Sequence, residues 1–209
     1  STASATSQSY TNRAFSAGIP VLFLTSYSNA GGATDSGPTS VTLTPTGGGS
    51  AITLTKRFEQ IRGTAASRAA ECWSGSGAIS AGNYDIAIAR ANAASHNAIT
   101  WGVLHDADAA PVDAQGNTPA EPSVANHSTP SVTVPNKGIA LAAYFIEDDT
   151  TPDAVTVSSP STELAEVVAI NTAGVSLCTA SRITTGSVEF THKTGTYARL
   201  IVVWKAAGT

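Results

Sequence analysis

The feature that most constrains this chain is its period of two. In residues 83–91, Tyr84, Ile86 and Ile88 alternate with Asp85, Ala87 and Ala89. Ile99, Trp101 and Val103 repeat the pattern in 98–105, and Leu200, Val202 and Trp204 repeat it near the C-terminus, with Ile201 and Val203 on the opposite face. Side chains that alternate in this way lie on the two faces of a β-strand, not along one stripe of a helix. The runs are closed by Gly, Pro, Asn or Asp, the residues that supply turns.

Read this way, strands are expected at 20–26, 39–44, 51–62, 67–73, 83–91 and 98–105. In 51–62 the alternation of Ile52, Leu54 and Phe58 is imperfect, which places a bulge around Lys56 with Lys56 and Arg57 facing outward. A second series is expected at 132–134, 139–146, 162–170, 175–183, 187–193 and 197–206. Residues 139–146 are apolar on both faces, as in a strand covered on both sides. Thr185-Gly186 and Thr194-Gly195 read as hairpin turns. Helix formers cluster only at 65–71 and 164–170, stretches too short and too closely flanked by strands to form helices. The expectation is an all-β fold: an antiparallel two-sheet β-sandwich, jelly-roll-like.

Residues 1–12 are small and polar and read as a flexible arm, followed by one domain over 13–209. The alternative division is a small attachment part at 13–65 and a β-sandwich at 66–209. Residues 106–130 carry no periodicity and read as a long loop, a candidate contact element. No solenoid repeat is visible.

Composition narrows the function. Of 209 residues only 12% are charged, about half the usual share, so the surface must be largely neutral. Such a surface desolvates cheaply and suits permanent contact with other subunits. The net charge is -4 and the basic residues are scattered, which argues against a nucleic-acid partner. The longest apolar run, 139–146, is too short to cross a membrane. The N-terminal residues lack the apolar core of a signal peptide. The two cysteines, Cys72 and Cys178, fit no metal or redox spacing; a disulfide between them is one reading, and two buried free thiols on neighbouring strands is the favoured one.

No nucleophile elbow, phosphate-binding loop or dinucleotide fingerprint is present, and no cofactor is expected. The most site-like cluster is His105-Asp106-Ala107-Asp108 with Asp113 beyond. Carboxylates spaced by two can cup a hard cation, so Asp106, Asp108 and Asp113 are the calcium candidates, with Glu147, Asp148 and Asp149 as neighbours if the loops meet. The bland reading is a solvated acidic loop. Glu163 and Glu166 are expected on opposite faces of a strand, and Glu59 and Glu71 as isolated acids, so none forms a glycosidase dyad. Trp73, Trp101 and Trp204 sit in apolar patterns and read as core. Asn126-His127-Ser128 matches a glycosylation sequon and reads as loop.

The stretch SVTVPNKGIALAAYFIEDD, the hairpin series after it, the terminal YARLIVVWKAAGT and the earlier AITWGVLHDADAAPVD carry a further pattern. Together, over residues 80–209, they resemble β-sandwich proteins of tailed-phage and gene-transfer-agent particles. The resemblance implies a virion component, a capsid decoration, head-fibre or tail-fibre type protein, assembled in the bacterial cytoplasm. Its implied partners are other virion structural proteins and copies of itself, and no catalytic residues come with it. The competing readings are a carbohydrate-binding module or adhesin tip, with a host surface glycan held by Tyr10, Tyr27, Tyr84 or Trp101, and an enzyme, which the missing motifs disfavour.

Overall fold

The computed structural model describes residues 5–28, 37–62, 67–94, 96–116, 126–147, 155–169, 175–191 and 196–208. These residues contain no helix, and all their paired strands are antiparallel. The first half holds β1 (Ala5–Phe15), β2 (Ile19–Ser28), β3 (Pro38–Pro45), β4 (Ile52–Thr53), β5 (Thr55–Arg62), β6 (Ser67–Ser74), β7 (Gly82–Ala94) and β8 (His96–Leu104). The second half holds β9 (Asp113–Gly116), β10 (Asn126–Ser128), β11 (Ile139–Glu147), β12 (Thr156–Val157), β13 (Thr162–Ala169), β14 (Val175–Arg182), β15 (Glu189–Thr191) and β16 (Thr196–Trp204).

Among the described residues these strands form four sheets, ordered β1-β7-β3-β4, β5-β6-β2-β8, β13-β14-β11-β16-β9 and β10-β15-β12. Three apolar clusters bind the sheets into successive layers. Phe15, Val41, Leu43, Ile86 and Ile88 of the first sheet meet Leu22, Leu24, Trp73 and Ile99 of the second. The other face of the second sheet, through Val21, Phe23, Ala70 and Cys72, meets Leu141, Phe145, Leu177, Leu200 and Trp204 of the third. The far face of the third, through Ala142, Tyr144, Cys178, Ile201 and Val203, meets Phe190 of the fourth. The two central sheets are thus covered on both faces, which is why β11 and β16 are apolar at consecutive positions. Each fully buried Leu, Ile or Phe contributes about 1.5–3 kcal/mol of burial free energy.

The two halves repeat one topology. Writing β10 for β1, β11 for β2, β12 for β3, β13 for β5, β14 for β6, β15 for β7 and β16 for β8 converts the first pair of sheets into the second, with β4 and β9 as additions. The register agrees as well. Ile19 faces Leu104 as Ile139 faces Trp204, and Val21 faces Ser74 as Leu141 faces Ser181. Thr55 pairs with Ser74 and Thr162 with Ser181, and two residues later each strand bulges, at Arg57 and at Leu164. Two glycines mark the equivalence. A Cβ on Gly18 would lie 2.6 Å from the Leu104 carbonyl oxygen, and one on Gly138 would lie 2.7 Å from that of Trp204. Contact between the halves is reciprocal: β16 touches β5 and β6, and β8 touches β13 and β14. It is the arrangement of a two-fold homodimer interface, made within one chain.

Several expectations change. Residues 5–15, most of the expected arm, form β1, paired with β7 over nearly its whole length. Its Ser, Gln and Asn side chains look like those of a disordered tail, but the backbone pairing satisfies the strand. The pair of sheets expected across 13–209 is built twice, and a cut at 65/66 would part β5 from its partner β6. Thr185-Gly186 is not a hairpin turn. It joins β14 to β15, which lie in different sheets, and Gly186 pairs instead with Val132. The strands flanking Thr194-Gly195 also lie in different sheets, and those two residues fall outside the described ones. The expected loop 106–130 contains β9 and β10.

Candidate functional site

Two features stand out, one sealed and one open. The sealed one begins with the bulge in β5. By adding a residue, it turns Glu59 directly toward Glu71 of β6. The two acids read as isolated in the sequence therefore form a pair. Lys56 Nζ lies 2.9 Å from Glu59 Oε1 and 3.0 Å from Glu71 Oε1. The Trp73 indole N–H donates to Glu71 Oε2 at 2.6 Å, and Lys56 stands 5.5 Å over the Trp73 ring. Glu71 is 1% exposed.

Burial and the hydrogen bond shared with Glu59 push Glu71 up to about 8, against the opposing pull of Trp73 and Lys56. Burial also works against the Glu59 charge, but the Glu71 proton and the Lys56 ammonium outweigh it and hold Glu59 below the usual carboxylate range. For Lys56, burial is outweighed by the two glutamates, which raise it. Below about pH 8 Glu71 holds its proton and can share it with Glu59, whose charge Lys56 matches. Glu71 is sealed at 1% exposed, while Glu59 and Lys56, 24% and 30% exposed, close the knot on the solvent side.

The open feature follows β8. It is the edge of its sheet, with β2 on one side. Beside it lies a groove of about 300 Å³, lined by Val21, Phe23, Thr100, Trp101, Leu141 and Leu164, among others. Trp101 is 37% and Leu164 54% exposed, two of the few large apolar side chains that face solvent. The Arg13 guanidinium stands 5.5 Å over the Trp101 ring.

No family model, curated protein or solved structure matches this chain.

The structure places the candidates named from sequence as follows. Asp108 Oδ2 lies 3.2 Å from Lys205 Nζ. Asp113, on β9, accepts a hydrogen bond from the Gln115 amide at 3.0 Å. Asp106 takes a positive φ of 53° and its carbonyl accepts from Ala207 N–H. His105 Nε2 lies 3.5 Å from Ser16 Oγ. Among the described residues no three His, Cys, Asp or Glu side chains are grouped to hold a metal ion. Asp148 and Asp149 lie outside those residues.

Glu163 and Glu166 share a face, contrary to expectation. The bulge between them reverses the alternation and pairs them with Ala180 and Cys178 on one side of the sheet. Glu166 there accepts from Val155 N–H at 2.6 Å. Cys72 and Cys178 are buried free thiols, but they belong to different sheets, not neighbouring strands. Trp73 and Trp204 are core, whereas Trp101 is exposed. Tyr84 is buried, its hydroxyl donating to the Ser80 carbonyl at 2.9 Å. Tyr10 is half-buried, and the Tyr27 side chain lies outside the described residues. The presumed loop Asn126-His127-Ser128 is strand β10, with His127 fully buried against Tyr144 and Tyr197.

Proposed function

We propose that this chain is a non-catalytic structural protein that works by docking, a component of a phage-like particle of capsid-decoration or fibre type. In this reading each half is a small β-sandwich and the two stand back to back. The observation that carries it is the contrast between the two features above. The most perturbed acids are locked in a neutralised knot, while the opening runs along an apolar strand edge. An edge of that kind recognises polypeptide, not a reacting small molecule. The low charge content supports the same reading, since a neutral exterior loses little on being covered.

The test is to band particles from a lysate of the cells that carry the gene and to probe the fractions with an antibody against this chain. The chain is expected in the particle band at a fixed ratio to the shell protein. Recovery wholly in the soluble fraction would overturn the reading. The carbohydrate alternative rests on Trp101, but Arg13 stands over its ring, where a sugar would stack. A glycan array with and without chelator separates the two readings.

A further inference from the structure

The open edge of β8 and the covered edge of β16 are equivalent positions in the two halves. On β16 the edge carries β9, which pairs antiparallel, Gly116 opposite Leu200 and Ala114 opposite Val202. Ala114 packs on the apolar layer between the halves. The bulge residue Arg57 then ties down the chain that leads into β9, donating to the Ala109 carbonyl at 2.9 Å.

Among the described residues the β8 side has the same frame and none of the cover. Register equivalence sets Thr100 in place of Leu200, Gly102 in place of Val202 and Leu164 in place of Arg57. Two large side chains have become small, which opens the groove. The cationic brace has become an exposed apolar side chain that faces it. A Cβ added at Gly102 would meet nothing within 4 Å.

The other sheet edges are protected in the ways that prevent strand addition. Strands β4, β9, β10 and β12 have 2, 4, 3 and 2 residues. The longer β1, β5 and β13 each carry a register shift, with Arg13, Lys56 and Arg57, or Glu163 and Glu166 along them. Strand β8 has 9 residues in unbroken register with β2, and from Asn97 to Leu104 it has no charge and no proline.

We infer that β8 and the groove beside it receive an extended segment of a different polypeptide, which adds to the sheet as an antiparallel strand where β9 sits in the other half. Backbone hydrogen bonds to the edge give its affinity, and apolar side chains at alternate positions, larger than Ala114 and Gly116, fill the space before Gly102 and Thr100. The groove continues the apolar layer between the halves, since Val21, Phe23, Leu104 and Leu141 belong to both. The inference rests on the docking reading and names the partner that it needs.

The probe is a capped peptide of residues 110–117 carrying Ala114→Leu and Gly116→Val, added to the full chain. Amide hydrogen exchange in β8 should slow by about tenfold or more at saturation, and Trp101 emission should move to the blue. Gly102→Glu should abolish both effects with circular dichroism and Tm unchanged, since its Cβ position is open. Trp101→Lys, at an exposed site, is a second variant, read by hydrogen exchange alone because it removes the fluorophore.

Absence of protection at millimolar peptide would overturn the inference. Equal protection by an N-methylated peptide would do so too, because the groove would then take side chains without strand pairing. Protection that rises with chain concentration alone would replace the foreign strand by a second copy. A chain that joins particles yet ignores the peptide would sink this inference and leave the docking function standing. A chain that binds the peptide but joins no particle would do the reverse.

Discussion

Replacing Glu71 by Gln tests whether a buried proton joins β5 to β6. In the folded chain Glu71 is held at about 8, against 4.5 for an ordinary glutamate. Between those values the native state binds one more proton than the unfolded state, so stability falls as pH rises. The contribution is complete below 4.5 and is lost as pH climbs through about 8. Each pH unit within that window is worth about 1.4 kcal/mol, so going from pH 5 to pH 8 costs at most ~4 kcal/mol. Gln copies the charge of the neutral acid: its oxygen can accept from Trp73 and its amide can donate to Glu59, while the contact of Glu71 Oε1 with Lys56 is lost, at a cost that does not vary with Glu71 titration. Urea unfolding of wild type and Glu71→Gln at pH 5, 6.5 and 8, followed by tryptophan fluorescence, gives the difference with other titrations cancelled. The stability of the variant relative to wild type should rise from pH 5 to pH 8. A difference that does not move with pH would refute the reasoning and show that Lys56 and Trp73 keep Glu71 ionised despite its burial.

Gly18→Ala should destabilise the chain by about 2 kcal/mol or more, because φ is +140° there and the new Cβ would strike the Leu104 carbonyl. Gly138→Ala should lose a similar amount against Trp204, and unfolding curves of the two variants compare the halves directly. Phe190→Ala should cost about 3–5 kcal/mol by denaturant titration, since Phe190 is the fully buried aromatic that the fourth sheet presents to the third. Burial pushes both thiols, Cys72 and Cys178, well above the usual thiol range, so neither should react with a disulfide reagent until the chain is unfolded. Acrylamide should quench Trp101 and spare Trp73 and Trp204, as their exposures of 37%, 4% and 0% require.

The strands were legible because alternation in 83–91, 98–105 and 197–206 is a local property of the chain. Their pairing was not. Thr185-Gly186 has the composition of a hairpin turn, yet it serves a crossing between layers, and nothing local separates the two uses. The bulges were half legible. The break around Lys56 is visible in the spacing of Leu54 and Phe58, and its consequence, Glu59 facing Glu71, follows only once β6 is set beside it. The bulge between Glu163 and Glu166 leaves no such gap, because Leu164 and Ala165 read as ordinary strand residues. The doubling was hidden for a physical reason: equivalent positions keep their place in the strand pairing but not their residue types or sizes, as Leu104 and Trp204 show. Its visible trace is Gly18-Ile19 and Gly138-Ile139.

Fusing two like halves and then covering only one of two matching edges has a consequence for counting. A symmetric pair of such units would offer two open margins, and could grow into a fibre by adding strands at both. Here β9 closes one margin with the chain's own backbone, so of the two matching margins only that of β8 stays uncovered among the described residues. On the proposed docking function, such a molecule would occupy a lattice at one per site without seeding its own polymer.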